Sequence, residues 1–269
     1  MNYKYFLMAF LMLNSLTLHA QTRWFEVELL LFERNVKLSD QTENLGQDNI
    51  KLDFSRSIPL LKIPTNVDCT PGRSCLAKNI SVLVNKAKFN SAQTGFVLLS
   101  NSRLQLAAQR LSLKRHWLFK PLLHAVWRMP VYSRNNTRPL RIFAGKNLVS
   151  GQNADIKYLN DKWEIDGNLK IYLAHYLYVD SQLIIRKRVM QDMPTPEQQE
   201  EKAVLDIVNS QNGVQIIRPS DEVAPVKQAQ RSVIKEVLFD QNRRMRSGEI
   251  HYFDHPLMGM LIQIRKIKA

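Results

Sequence analysis

The alternation of apolar and polar positions sets the first reading of the chain. Trp24 to Phe32 reads WFEVELLLF: Trp24, Glu26 and Glu28 alternate with Phe25, Val27 and Leu29, then the run turns wholly apolar. A period of two marks a strand, here predicted to be half-buried at its start and fully buried at its end. Leu118 to Val131 (LFKPLLHAVWRMPV) is predicted as a second strand, with Pro121 and Pro130 near its ends. Arg141-Ile142-Phe143 is a short third. The clearest periodicity runs from Leu169 to Ile185, with Leu169, Ile171, Leu173, His175, Leu177, Val179, Ser181, Leu183 and Ile185 on one face. Tyr172, Tyr176, Tyr178, Asp180 and Gln182 fall on the other. A two-residue hairpin loop would flip this parity, so the segment is one long strand or a hairpin with an odd-length loop, placed near Asp180-Ser181. Further strands are expected at Val233–Phe239 and at Met258–Ile264, where Met258, Met260, Ile262 and Ile264 share a face.

Helical spacing is rare. Leu104, Ala107, Ala108 and Leu111 predict an amphipathic helix over Ser102–Lys114, with Arg103, Gln105, Gln109 and Arg110 on its wet side. Thr195-Pro196 opens a short surface helix to about Val208. Asn35–Asp68 reads as a polar excursion. With no strand–helix rhythm, a doubly wound parallel sheet is excluded, and the fold class is α+β: a mostly antiparallel sheet with few helices. Residues 21–269 are read as a single domain with a polar, partly mobile insert at about 191–231.

The first twenty residues change the compartment. Lys4 precedes the uncharged run FLMAFLML, and Leu18-His19-Ala20 offers a small residue before Gln21. This is the layout of a secretory signal peptide cleaved near Ala20, with an apolar run too short to remain as a stable membrane span. No Cys follows the cut to accept a lipid. In an oxidising compartment Cys69 and Cys75, separated by the Pro71-Gly72 turn signal, are expected to form a disulfide.

Charge then narrows the ligand. The chain has 269 residues, 45% hydrophobic and 23% charged, which excludes a mostly disordered chain. Its 38 Lys+Arg against 24 Asp+Glu give +14; losing Lys4 with the signal leaves 37 − 24 = +13. Such a field attracts polyanions. Export argues against nucleic acid and leaves the cell wall or the membrane surface.

Candidate chemistry concentrates in Arg243–Pro256, RRMRSGEIHYFDHP. Arg243, Arg244 and Arg246 suit bidentate bonds to carboxylates, and Tyr252 offers a flat surface for sugar rings. Glu249 and His251 complete the ligand-binding candidates of this segment, which otherwise reads as a wet strand face closed by a turn at His255-Pro256. Arg244 and Arg246 are expected to share a face opposite Arg243, with Tyr252 joining them if the strand runs unbroken. Trp127 and Arg128 form a second candidate group, with core packing of Trp127 and His124 as the competing reading. Enzyme templates are thin. Ser232-Val233-Ile234-Lys235 matches S-x-x-K without its companion motifs, and Glu249, His251, Asp254 and His255 pair carboxylates with histidines. No catalytic residue, metal site or cofactor is expected; a periplasmic hydrolase or transferase acting on wall peptides or glycans is the alternative.

Three segments carry a resemblance: WFEVELLLFER (Trp24–Arg34), FKPLLHAVWRMPV (Phe119–Val131) and RRMRSGEIHYFDHPLMGMLIQI (Arg243–Ile264), supported by Gly167–Leu177. Their order and wording resemble the CsiV family of periplasmic peptidoglycan-binding proteins of Gram-negative bacteria. The resemblance implies a non-catalytic wall-binding factor that supports peptidoglycan synthesis and cell-shape integrity. It implies action with a class A penicillin-binding protein and its lipoprotein activator. It brings no ligand residues with it.

Overall fold

A computed structural model describes residues 23–36, 50–61, 79–84, 95–148, 162–192 and 230–267. Among them run β1 (Arg23–Arg34), β2 (Ile58–Pro59), β3 (Val97–Leu98), a 3-10 turn (Asn101–Arg103) and α1 (Ala107–Arg115). There follow β4 (Phe119–Val131), β5 (Leu140–Asn147), β6 (Trp163–Leu173), β7 (Leu177–Asp192), β8 (Gln230–Met245), β9 (Ile250–His255) and β10 (Met258–Lys266). The signal segment, the Cys69–Cys75 loop, the helix expected from Pro196 and most of the expected insert lie outside the described residues.

The strands form two five-stranded sheets, β3-β4-β1-β10-β9 (sheet A) and β2-β5-β6-β7-β8 (sheet B). Every pairing between the named strands is antiparallel except the short parallel β2–β5 contact. The expected antiparallel character therefore holds, but the architecture is nearly all β, with α1 the one α-helix among the described residues. One hydrophobic cluster takes the odd positions of β1 (Phe25 to Leu31), the even positions of β10 (Met258 to Ile264) and the odd positions of β6 to β8. Burying one face of each sheet against the other is what period-two sequences require.

Parity across β6 and β7 is kept because they form a hairpin whose loop, Ala174-His175-Tyr176, has three residues, with Leu173 paired to Leu177. Of the two expected alternatives, a single long strand or a hairpin with an odd-length loop, the second forms, but not near Asp180-Ser181, which sit inside β7. Gly167 on β6 lets the strands approach closely: a Cβ there would lie 2.1 Å from the Gln182 carbonyl oxygen.

Two expectations fail for a shared reason. α1 begins later than expected, at Ala107, and buries no side chain of its own; Leu111 is exposed, while the buried apolar residue is Leu106, just before the helix. Glu26 and Glu28 are not on a wet face: Glu28 is 0% exposed and Glu26 4%. The segment leading into α1 lies over the outer face of sheet A at these glutamates. Glu28 accepts from the backbone N–H of Gln105 at 2.9 Å and of Leu106 at 2.7 Å, from His124 Nε2 at 2.9 Å and from Arg265 Nη1 at 2.7 Å. Glu26 is ion-paired to Arg103 at 3.0 Å, Arg128 at 3.3 Å and Arg265 at 2.9 Å. Burial alone raises the Glu28 carboxyl, but the bonds from His124, Arg265, Leu106 and Gln105 outweigh it and hold it at about 2. Burial is likewise outweighed at Glu26 by Arg103, Arg265 and Arg128, and its carboxyl is also lowered.

Lysines pin the sheets together at one end. Lys120 of β4 pairs with Glu33 at 3.2 Å and with Glu164 of β6 at 3.1 Å. Lys187 of β7 pairs with Glu33 at 3.2 Å and donates to the carbonyls of Arg34 and Val36 at 2.9 and 3.0 Å.

Candidate ligand-binding surface

The arginine-rich segment crosses from one sheet to the other. β8 ends at Met245 in sheet B, and β9 opens at Ile250 in sheet A. Between them Gly248 takes φ +91°, which a side-chained residue rarely adopts. Its N–H donates to the Ile264 carbonyl at 2.8 Å, and Gln263 Nε2 donates to the Gly248 carbonyl at 2.9 Å. The strand therefore does not continue unbroken through Arg246. Arg244 faces outward from sheet B and Tyr252 outward from sheet A, so they do not share a face. Arg246 lies in the turn, beyond the alternation that was to align it with Arg244.

Several candidates are occupied by internal contacts. Arg243 does oppose Arg244, as expected; its Nη1 donates to the Tyr252 carbonyl at 2.7 Å and its guanidinium lies 4.8 Å from the Phe253 ring centre. Gln241 Nε2 donates to the Asp254 carbonyl at 2.8 Å. Side chains of β8 thus satisfy carbonyls along β9, the edge strand of sheet A, where bare backbone groups would invite another strand. Tyr252 donates its hydroxyl to Asp254 at 2.5 Å, accepts from Arg34 at 2.7 Å and stacks on Phe32. Its hydroxyl pKa is raised by burial and by the bond to Asp254. His251 Nε2 accepts the Arg246 N–H at 3.1 Å and lies 4.0 Å from Glu249. Arg246 and Glu249 are exposed and 3.7 Å apart. Trp127 is 0% exposed in the shared core, which corrects its reading as a sugar platform: no ligand ring reaches it. Arg128 is paired with Glu26.

Arg243→Ala is expected to lower stability by about 1 kcal/mol, since an exposed charged hydrogen bond and a cation–π contact are lost. Urea unfolding checks this; an unchanged midpoint would contradict the clasp.

The chemistry of the alternative enzyme reading does not converge in space. Ser232 and Lys235 lie on β8 three residues apart, so their side chains leave opposite faces. Asp254 is bound by Arg34 and Tyr252 on the outer side of β9, while His255 accepts the Leu257 N–H at 3.1 Å and packs on Phe239.

What remains open is a ledge on the outer face of sheet B at the β6–β7 turn. Register places Tyr172, Tyr178 and Arg244 in one row across β6, β7 and β8. Tyr172, buried at 4% exposure, forms the floor of the ledge: it stacks on Tyr178 with centroids 5.3 Å apart and planes 10° from parallel. The Arg244 guanidinium lies 4.5 Å from the centre of Tyr176, which is 47% exposed. Arg134 caps Tyr172 at 5.6 Å, and Asn242 Nδ2 donates to the Tyr172 hydroxyl at 3.3 Å. Of these residues only Arg244 was a sequence candidate. The signal for the others was present: three tyrosines on the polar side of the longest alternation, where a purely solvated face has no use for aromatic rings.

The chain is a two-sheet β protein whose buried glutamates are paired internally and whose outer sheet B face carries an exposed tyrosine–arginine ledge. The family model described as "Peptidoglycan-binding protein, CsiV" matches residues 4–267, nearly the whole chain, and the chain belongs to that family. The family is named for binding rather than catalysis, and it points to the cell envelope. No curated protein and no solved structure matches the chain at a significant level. Among the described residues no helix is long and apolar enough to cross a membrane, and no three acidic, His or Cys side chains cluster as metal ligands.

Proposed function

We propose that this chain is a non-catalytic peptidoglycan-binding protein of the periplasm, freed from its signal peptide near Ala20, that supports wall synthesis and cell-shape integrity. Family membership across residues 4–267 carries this reading. The leader layout, the mature charge of 37 − 24 = +13 and the ledge support it. Action beside a class A penicillin-binding protein and its lipoprotein activator is part of the same proposal and rests on the family resemblance alone. The Cys69–Cys75 disulfide also belongs to it.

The ledge supplies the two contacts that a glycan bearing acidic peptides requires. Tyr176 and Tyr178 offer ring faces to sugar rings, and Arg244 offers paired N–H donors to a carboxylate. Arg246 and Glu249 stand at the adjacent strand end as further polar contacts. Stacking on Tyr176 also holds the Arg244 guanidinium in place before a ligand arrives, which reduces the entropy lost on binding.

Tyr176→Ala/Arg244→Ala is expected to weaken binding to purified sacculi about tenfold or more, as for the loss of a charged hydrogen bond and a stacking surface. The control Lys114→Ala/Arg115→Ala removes two exposed charges from α1 and is expected to change binding less than threefold. Equal losses in both variants would mean a diffuse charge effect and would overturn the ledge as the site. Muropeptide profiles of sacculi incubated with the protein are expected to be unchanged; new products would favour the hydrolase or transferase reading.

A further inference from the structure

At the other end of β7, about 33 Å along the strand from Tyr178 of the ledge to Arg188, the pinned ends of the two sheets enclose an open cleft of about 1370 Å³. Its lining includes six cations, Lys120, Lys146, Arg186, Lys187, Arg188 and Lys235, against two carboxylates, Glu33 and Glu164. Glu33 and Glu164 are already neutralised by Lys120 and Lys187. Arg186 is committed to Glu236 at 2.7 Å and to the Trp163 carbonyl at 3.2 Å. Lys146 and Arg188 are exposed and pair with no carboxylate among the described residues; Arg188 instead donates to the Leu148 carbonyl and to Ser232 Oγ. The cleft therefore keeps a positive excess after its internal pairs are counted.

We infer that this cleft is a second binding site, one that takes the carboxylate-bearing stem peptides of the wall polymer; the inference rests on the wall-binding reading above. Three features favour a peptide acid over a compact anion. The two cations without a carboxylate partner among the described residues come from different strands, Lys146 on β5 and Arg188 on β7, so they suit carboxylates spaced along one ligand rather than a single small ion. Apolar side chains of Val36, Leu148, Val189 and Met190 line the same space and match the aliphatic parts of a peptide. Trp117, 78% exposed at the rim, adds a flat surface that costs nothing to uncover. A cleft whose field is already positive also gathers acidic ligands faster and loses that advantage in salt. With the ledge addressing sugar and the cleft addressing peptide, two weak contacts on one polymer reinforce each other.

The test measures binding of the mature protein to three probes: intact sacculi, sacculi stripped of peptide by an amidase, and vesicles rich in anionic phospholipid. The wild type is expected to bind intact sacculi at least about fivefold more tightly than stripped glycan. Lys146→Glu/Arg188→Glu is expected to erase that preference while leaving binding to stripped glycan unchanged. Trp117→Ala removes an exposed ring without touching a buried contact, and is expected to reduce the preference two- to threefold even if the charge-reversal variant is poorly folded. Wild-type binding to sacculi with no preference for peptide, or with a preference that both variants retain, would overturn the cleft assignment and leave wall binding standing. Equal wild-type affinity for the vesicles, lost in Lys146→Glu/Arg188→Glu, would reassign the cleft to lipid phosphate and overturn it likewise. No binding of the wild type to any wall probe would overturn the wall-binding reading itself.

Discussion

Replacing Glu28 with alanine is expected to lower the unfolding free energy by about 4 kcal/mol, the loss typical of removing one partner from a buried ion pair. For a chain of this size that corresponds to a fall in Tm of about 10 °C. The reason is what stays behind. Arg265, already bound to Glu26, loses its second carboxylate; His124, 0% exposed, loses the partner of its Nε2; and the N–H groups of Gln105 and Leu106 lose their acceptor. Glu28→Gln keeps the shape and one acceptor oxygen, and is expected to fall between alanine and the wild type. The carboxyl is depressed from 4.5 to about 2, which corresponds to about 3 kcal/mol. A depressed carboxyl stabilises the fold fully above the unfolded-chain value near 4.5, and the contribution is lost as the pH falls towards about 2. Urea unfolding at pH 7 and pH 3 is therefore expected to show a smaller loss of stability on acidification in Glu28→Gln than in the wild type. Equal losses would show that Glu28 is not the linked group.

Gly167→Ala is expected to cost about 3 kcal/mol, at the upper end of overpacking effects. The added Cβ would lie 2.1 Å from the Gln182 carbonyl oxygen and 2.6 Å from the Leu183 Cα. Both are backbone atoms of the neighbouring strand, so no side-chain rotation relieves the clash; β6 and β7 must part. Gly259→Ala is the informative comparison. Its Cβ would meet the Phe32 ring at 2.2 Å, but that ring belongs to a side chain with some freedom to shift. Thermal melts are expected to place Gly167→Ala below Gly259→Ala, and the reverse order would contradict the close strand approach.

How far the chain is legible follows from the range of the interactions involved. Period-two alternation located β10, with Met258, Met260, Ile262 and Ile264 all 0% exposed, because side-chain parity is a local property. Parity across Leu169–Ile185 allowed either one long strand or a hairpin with an odd-length loop, and carried no information on which of them forms or on where Ala174-His175-Tyr176 would turn. Glu26 and Glu28 were misread for the opposite reason. Their burial depends on Arg103, His124, Arg128 and Arg265, which lie 77 to 239 positions away. Alternation cannot distinguish a glutamate facing water from one facing guanidinium groups. The arginine cluster looked uniform in sequence, yet a sheet crossing at Gly248 sends Arg243 into a clasp, Arg244 onto Tyr176 and Arg246 into a turn. The row of Tyr172, Tyr178 and Arg244 exists only once β6, β7 and β8 are paired.

The ledge and the cleft both presuppose that the protein engages the wall polymer. The most direct measurement is sedimentation of the purified mature protein with insoluble sacculi at low ionic strength. The protein is expected in the pellet, with release as salt is raised through about 0.5 M and charge attraction is screened. Protein left wholly in the supernatant at low salt would contradict the account.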